Sequence, residues 1–238
     1  MEKIITYDTL RDFAYSNDRI CRKPIQGIAV SFFGLGQRDM YDEDTDSGKL
    51  YAEKGIVYLV PYNNPWAWMN RQAIAYTDEL IDIIINTYQL PDSIPIVSSG
   101  GSMGGLSALV YMVYAKRTPV ACVTNCPVCD LPYHFTERRD LPRTLYSAFF
   151  HERGTMADAL QSASPLHLAD QMPDADYYIF HCEKDMAVNK QKHTDRFVEA
   201  MRGKRRITCH AVPDRGHCDL TDEMLALYNQ YIVQSIIR

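Results

Sequence analysis

The most chemically pointed residues form Gly100-Gly101-Ser102-Met103-Gly104-Gly105, a G-x-S-x-G set between a β-branched run and a helical pattern. A strand that turns sharply into a helix holds its middle residue in a strained backbone conformation. The flanking positions must lack Cβ for the two arms to approach. Ser102 then projects its Oγ from the tip as a nucleophile, and the N–H of Met103 faces the same point from a helix N-terminus, where an oxyanion is favoured. A phosphate loop is the competing reading. No Lys follows the glycines, however, and the serine is centred among them.

Such a serine needs an acid and then a histidine, in that chain order, each on a loop after a later strand. Glu183-Lys184-Asp185 follows one apolar run, and Asp214-Arg215-Gly216-His217 follows the next. Asp185 lies deeper in its turn than Glu183, and Asp214 belongs to the histidine's own loop. Of the seven His residues, His217 alone combines a late loop with a preceding Gly that permits a tight approach. His181 and His210 fall in strands, His193 in a helix, and His134, His151 and His167 in a long connection. The loop Phe33-Gly34-Leu35-Gly36 after an early strand is expected to supply a second oxyanion donor, the N–H of Leu35. Phe33, Gly34, Tyr62 and Trp66 are the expected substrate contacts, because both aromatic segments follow strand tips; Trp68 reads as core. Arg138, Arg139 and Arg143 read as solvated charge, with a role in holding a substrate carboxylate left open.

The elements that must position these residues alternate in type. Strands are predicted at 27–33, 55–60, 94–99, 119–124 and 177–182, with a sixth at 206–212. Between them run helical stripes: Met69, Ala73, Tyr76, Leu80 and Ile84; then Met103, Leu106, Leu109 and Val113; then 190–201; and 220–236 with Leu225, Tyr228, Ile232 and Ile236 on one side. The pattern predicts an α/β fold, a mainly parallel sheet flanked by helices, as one domain over 1–238. Residues 129–173 are too long for a simple crossover and read as a lid-like insertion with short helices of its own.

Composition narrows the function classes. The 238 residues are 46% apolar and 23% charged, which suits a globular core and excludes disorder, collagen and coiled coil. Twenty-five basic against 30 acidic residues leave a net charge of -5, the wrong sign for a nucleic-acid partner. The start Met1-Glu2-Lys3-Ile4 carries an acid where a signal peptide needs basic residues, and no run is long enough to span a bilayer. No membrane partner and a cytoplasmic location are expected. Seven Cys, with Cys122, Cys182 and Cys209 inside apolar runs, suit packing in a reducing compartment. Cys126-Pro127-Val128-Cys129 is a C-x-x-C, but it has no second metal-ligand pair and reads as two buried thiols at a strand end; Cys218 reads as packing. No metal is expected.

With these motifs the chain resembles the α/β-hydrolase superfamily over almost its whole length. Ser164-Pro165-Leu166-His167, Tyr178 through Asp185, and Gly216-His217 look more specifically like the prolyl oligopeptidase catalytic domain and dienelactone hydrolase-like branches. The resemblance implies a sheet of about eight strands, a Ser102-Asp185-His217 triad and no cofactor. Two positions depart from the family pattern: Phe33-Gly34 replaces His-Gly in the oxyanion loop, and Cys182 replaces a Gly before the acid. The expected activity is serine-dependent cleavage of a carboxylic ester in a small or medium substrate. A serine peptidase for short peptides and a non-catalytic binding protein on the same fold are the alternatives. A small-molecule substrate is the expected partner, and a homo-oligomer is left open.

Overall fold

Residues 5–152 and 154–237 are described by a computed structural model. Met1 to Ile4, on which the reading against a signal peptide rests, therefore lie outside the described residues, as do Arg153, within the long connection, and Arg238. The strands are β1 (Ala14–Ser16), β2 (Gly27–Phe32), β3 (Ile56–Pro61), β4 (Ile96–Gly101), β5 (Ala121–Asn125), β6 (Asp176–Cys182) and β7 (Arg206–Val212). They form one sheet in the order β1-β3-β2-β4-β5-β6-β7. β1 runs antiparallel to β3, and every other pairing is parallel. The described residues thus give seven strands where the resemblance implies about eight. β1, three residues long, is too short to show a period of two.

The predicted starts at 94 and 119 are each two residues early. Pro95 and Pro119 lack an N–H for the ladder, so pairing begins just beyond them. Pro95 contributes only its carbonyl, which accepts from Ile28 N–H at 3.0 Å.

The helices are α1 (Asp46–Ala52), α2 (Arg71–Tyr88), α3 (Met103–Tyr114), α4 (Leu131–Glu137), α5 (Leu141–Phe149), α6 (Met156–Ser162), α7 (Thr194–Met201) and α8 (Asp222–Ile236). Thr45, Asn70 and Thr221 cap α1, α2 and α8 by accepting a backbone N–H three residues on, which satisfies groups a helix start otherwise leaves unpaired. Side chains alternate across the sheet as the strand period requires. Ile28, Val30 and Phe32 enter a core with α2, α3, α7 and the helices of the long connection, while Ala29, Val97, Val123 and Phe180 pack against α1 and α8.

Three expectations are corrected. Leu225 is 48% exposed, whereas Ile232 and Ile236 are buried as expected, with Ser235 beside them. Cys209 is exposed because β7 is the sheet edge, whereas Cys122 and Cys182 are buried as expected. His193 is not helical; it caps α7, which starts at Thr194 rather than 190.

The 129–173 connection holds α4, α5 and α6 and is anchored to the main body. Trp68, fully buried, donates its Nε1–H to Thr144 Oγ1 at 3.0 Å, and Asn70 Nδ2 donates to Ala148 C=O at 2.9 Å. Among the described residues no helix is long and apolar enough to cross a membrane.

Candidate active site

β4 and α3 meet at Ser102, whose φ of 58° and ψ of −123° is a conformation that L-residues rarely adopt. A Cβ on Gly100 would lie 2.4 Å from Gly104 O, and one on Gly104 would lie 2.1 Å from Phe32 O and 2.9 Å from Phe33 O. The two glycines of the motif therefore let strand, helix and the Phe33 loop close on one another. Ser102 N–H donates to Asn125 O at 3.0 Å, which pins the elbow to the end of β5.

Asp185 and His217 meet at the carboxyl ends of β6 and β7, with Nδ1 of His217 2.7 Å from Asp185 Oδ2. The other carboxylate oxygen accepts from the N–H groups of Ala187 and Val188 at 2.8 and 2.9 Å. The carboxylate is 1% exposed, and burial alone would raise its pKa, but the bonds from His217 and the two N–H groups outweigh burial and lower it. Burial also works to lower the His217 pKa, yet Asp185 and Cys126 together raise it to about 9. Behind the acid, buried His181 is held between Thr194 Oγ1 at 2.7 Å and Val188 O at 3.1 Å, and burial lowers its pKa to about 4, so it stays neutral. The rival acids lie elsewhere: Asp214 pairs with Lys184 at 2.7 Å, and Glu183 continues the strand edge through its N–H to Val212 O.

Gly216 does not do what was expected of it. A Cβ there meets nothing within 4 Å and its φ is not left-handed, so no tight approach depends on it. The left-handed turn belongs to Cys218, at φ 58°.

Ser102 Oγ makes no hydrogen bond among the described residues, to His217 or otherwise. The Nε2 of His217 instead faces sulfur, 3.8 Å from Cys218 Sγ. Cys126 Sγ lies in the same cluster and accepts N–H bonds from Cys182 at 3.3 Å and Cys218 at 3.4 Å. The thiol of Cys218 beside it and burial push the Cys126 thiol well up, and burial with Cys126 pushes Cys182 up to about 12.

Asn125 is a site residue that the sequence reading missed. Its backbone C=O accepts from Ser102 N–H, and its side-chain Nδ2 donates to Cys218 O at 3.1 Å, so one buried residue joins the serine elbow to the histidine loop. The only available signal was its place at a strand end, which an Asn in a turn equally explains.

The N–H groups of Met103 and Leu35 make no hydrogen bonds among the described residues, which leaves both free for a ligand. Gly34, beside Leu35, approaches the elbow: its Cβ position lies 3.9 Å from Gly101 O. Phe33 and Tyr62 are stacked with centroids 6.4 Å apart, and the hydroxyl of Tyr62 accepts from Tyr41 N–H at 3.0 Å. Tyr62 and the 42% exposed Trp66 also line a cavity of about 680 Å³ with Tyr76, Ser147 and Phe150. Neither Ser102, Asp185 nor His217 lines it, nor do Phe33 and Gly34. Arg138 pairs with Asp140 at 2.5 Å.

By sequence, no family model matches the chain and no curated protein is similar to it. By structure it is similar to an S-formylglutathione hydrolase from Agrobacterium tumefaciens, at TM-score 0.72 and 15% identity, covering 94% of this chain and 88% of that one. It is also similar to a puromycin hydrolase, at TM-score 0.71 and 15% identity over 90% of this chain; there it spans about a third (34%) of the other chain's length. A third likeness is to an esterase from Thermogutta terrifontis, at TM-score 0.63 and 19% identity, covering 93% of this chain and 86% of that one. The chain has the α/β-hydrolase fold.

Proposed function

We propose that this protein is a serine hydrolase that cleaves a carboxylic ester of a small or medium substrate. The observation that carries the reading is the buried Asp185 bonded at 2.7 Å to His217 Nδ1, on the same sheet edge as Ser102 at φ 58°. Ser102 attacks the carbonyl, and His217 takes its proton and returns it to the leaving group. Asp185 holds the imidazole tautomer and stabilises its cation. The N–H groups of Met103 and Leu35 receive the oxyanion, each contributing on the order of 3 kcal/mol. Water then releases the acyl group. Catalytic hydrogen bonds in unliganded sites are often long and tighten with substrate, and His217 must turn its Nε2 from sulfur to Ser102 to act.

Phe33, Gly34, Tyr62 and Trp66 bound the acyl or alcohol side, and the 129–173 segment, which supplies Ser147 and Phe150 to the cavity, serves as its cap. No cofactor enters these steps. Two other readings have specific support. The likeness to an acylaminoacyl peptidase from Pyrococcus horikoshii favours a peptidase. The unbonded Ser102 Oγ favours a binding protein.

A fluorophosphonate probe with parallel aryl ester and peptide amide assays separates the three. The expected result is labelling at Ser102, ester turnover above amide turnover, and loss of kcat on the order of a millionfold in Ser102→Ala. Folded protein that neither labels nor hydrolyses would overturn the proposal.

A further inference from the structure

The three sulfur and nitrogen atoms beside the elbow are arranged for more than packing. Cys126 Sγ, Cys218 Sγ and His217 Nε2 or Nδ1 lie within 4.8 Å of one another, and the Cys218 Sγ to His217 Nε2 distance is 3.8 Å. A tetrahedral zinc ion with bonds of about 2.3 Å to sulfur and about 2.0 Å to nitrogen separates its ligands by roughly 3.5 to 3.8 Å. The Cys218–His217 pair therefore stands at the spacing of such an ion, and Cys126 Sγ lies within 4.8 Å of both.

Two independent features point the same way. Both cysteines hold left-handed backbone, Cys126 at φ 47° and Cys218 at φ 58°, in two chain segments that meet at this cluster. Cys126 Sγ also receives two backbone N–H bonds, from Cys182 and Cys218, the kind of outer support that stabilises a metal-bound thiolate. Asp185 supplies the equivalent support to the histidine, through the opposite ring nitrogen. The site has an entry, since Cys218 is half-buried and the His217 side chain is 30% exposed.

A second cluster, His134, Glu137 and His193, is less suited to this role. Glu137 Oε2 already bonds both rings, and His193 Nδ1 accepts the N–H groups of Cys129 and Asp130.

We propose that Cys126, Cys218 and His217 bind a soft divalent cation of the zinc class, and that the bound ion reversibly silences the enzyme. Two S–H bonds and, below about pH 9, the Nε2–H bond of the His217 imidazolium break, and their protons leave to solvent. Two metal–sulfur bonds and one metal–nitrogen bond form, and the two thiolates balance the dication. A water completes the tetrahedron. The nitrogen taken is the one that must receive the Ser102 proton, so the ion and catalysis exclude each other. The Cβ position of Gly101, next to Ser102, is 3.2 Å from Cys218 Sγ, which places the ion against the elbow.

The silencing rests on the hydrolase reading, whereas the binding does not. The test uses fully reduced, metal-free protein titrated with Co(II) and Zn(II), read by absorbance and by ester hydrolysis. One equivalent of Co(II) should give thiolate-to-metal charge-transfer and tetrahedral visible bands, and one equivalent of Zn(II) should abolish turnover until a chelator restores it. Cys218→Ala should bind on the order of 100-fold more weakly or worse and lose the charge-transfer band. Cys126→Ser, with its fold checked by circular dichroism, should lose the band as well.

Absence of the band in the wild-type protein, or wild-type binding by Cys218→Ala, would overturn the metal site. Bands without any metal-free hydrolysis would leave the site standing and sink the hydrolase reading. Hydrolysis untouched by bound zinc would overturn the silencing.

Discussion

Gly104→Ala tests whether the close approach at the elbow sets the catalytic geometry. The added Cβ would lie 2.1 Å from Phe32 O, against the 3.0 Å below which real Cβ atoms essentially never lie, so α3 and the end of β2 must part by about 0.9 Å. The obstacle is backbone, which cannot rotate away as a flexible side chain could. Donors that stabilise a transition state must sit within about 0.5 Å of their place, so this shift separates the Met103 and Leu35 N–H groups too far to share one oxygen. Loss of one donor costs about 100- to 1,000-fold in kcat. Overpacking adds about 1 to 3 kcal/mol of destabilisation.

The assay is kcat and KM for an aryl ester, with urea unfolding measured in parallel. Gly216→Ala is the control, because its Cβ meets nothing within 4 Å. Kinetics for Gly104→Ala within a few fold of wild type, in a protein that remains folded, would refute the account of the elbow.

Two further predictions follow from the same geometry. Catalysis needs neutral His217, so kcat/KM should fall about tenfold per pH unit below about 9, and Asp185→Asn should move that midpoint down; a profile flat from pH 6 to 9 contradicts the assignment. The linked stability term has the opposite sense: the raised His217 pKa favours the folded state fully below an unfolded value of about 6.5 and is lost as pH rises through about 9. Asn125→Ala should leave Cys218 O without its side-chain donor, costing about 1 to 3 kcal/mol in urea unfolding, and should lower kcat more than it raises KM by loosening the histidine loop. An unchanged kcat would show that Asn125 does not position that loop.

The sequence made the parallel core legible because β2 through β6 are mostly buried and each carries a short apolar run. The motif glycines were equally legible, since the collision that each avoids is local to the turn. What stayed hidden was either short or long-range. β1 has three residues and gains its place only by pairing with β3, which no local pattern announces. Asn125, Cys126 and Cys218 come together only when β5 and the loop after β7 share an edge; Cys126 and Cys129 are the two buried thiols at a strand end that the sequence suggested, but the approach of Cys218 to Cys126 is not local. Gly216 was credited with a freedom that Cys218 in fact uses.

Ser102, Cys126 and Cys218 all carry side chains in a region of backbone space where glycine is at ease. Such residues cost of order 1 to 3 kcal/mol each, and here all three belong to one small rim of the molecule. The surrounding strands hold that rim taut, and when heat or denaturant loosens them it should be the first place to relax. Loss of function would then precede loss of the fold, as a property of where this chain has chosen sulfur and oxygen over hydrogen.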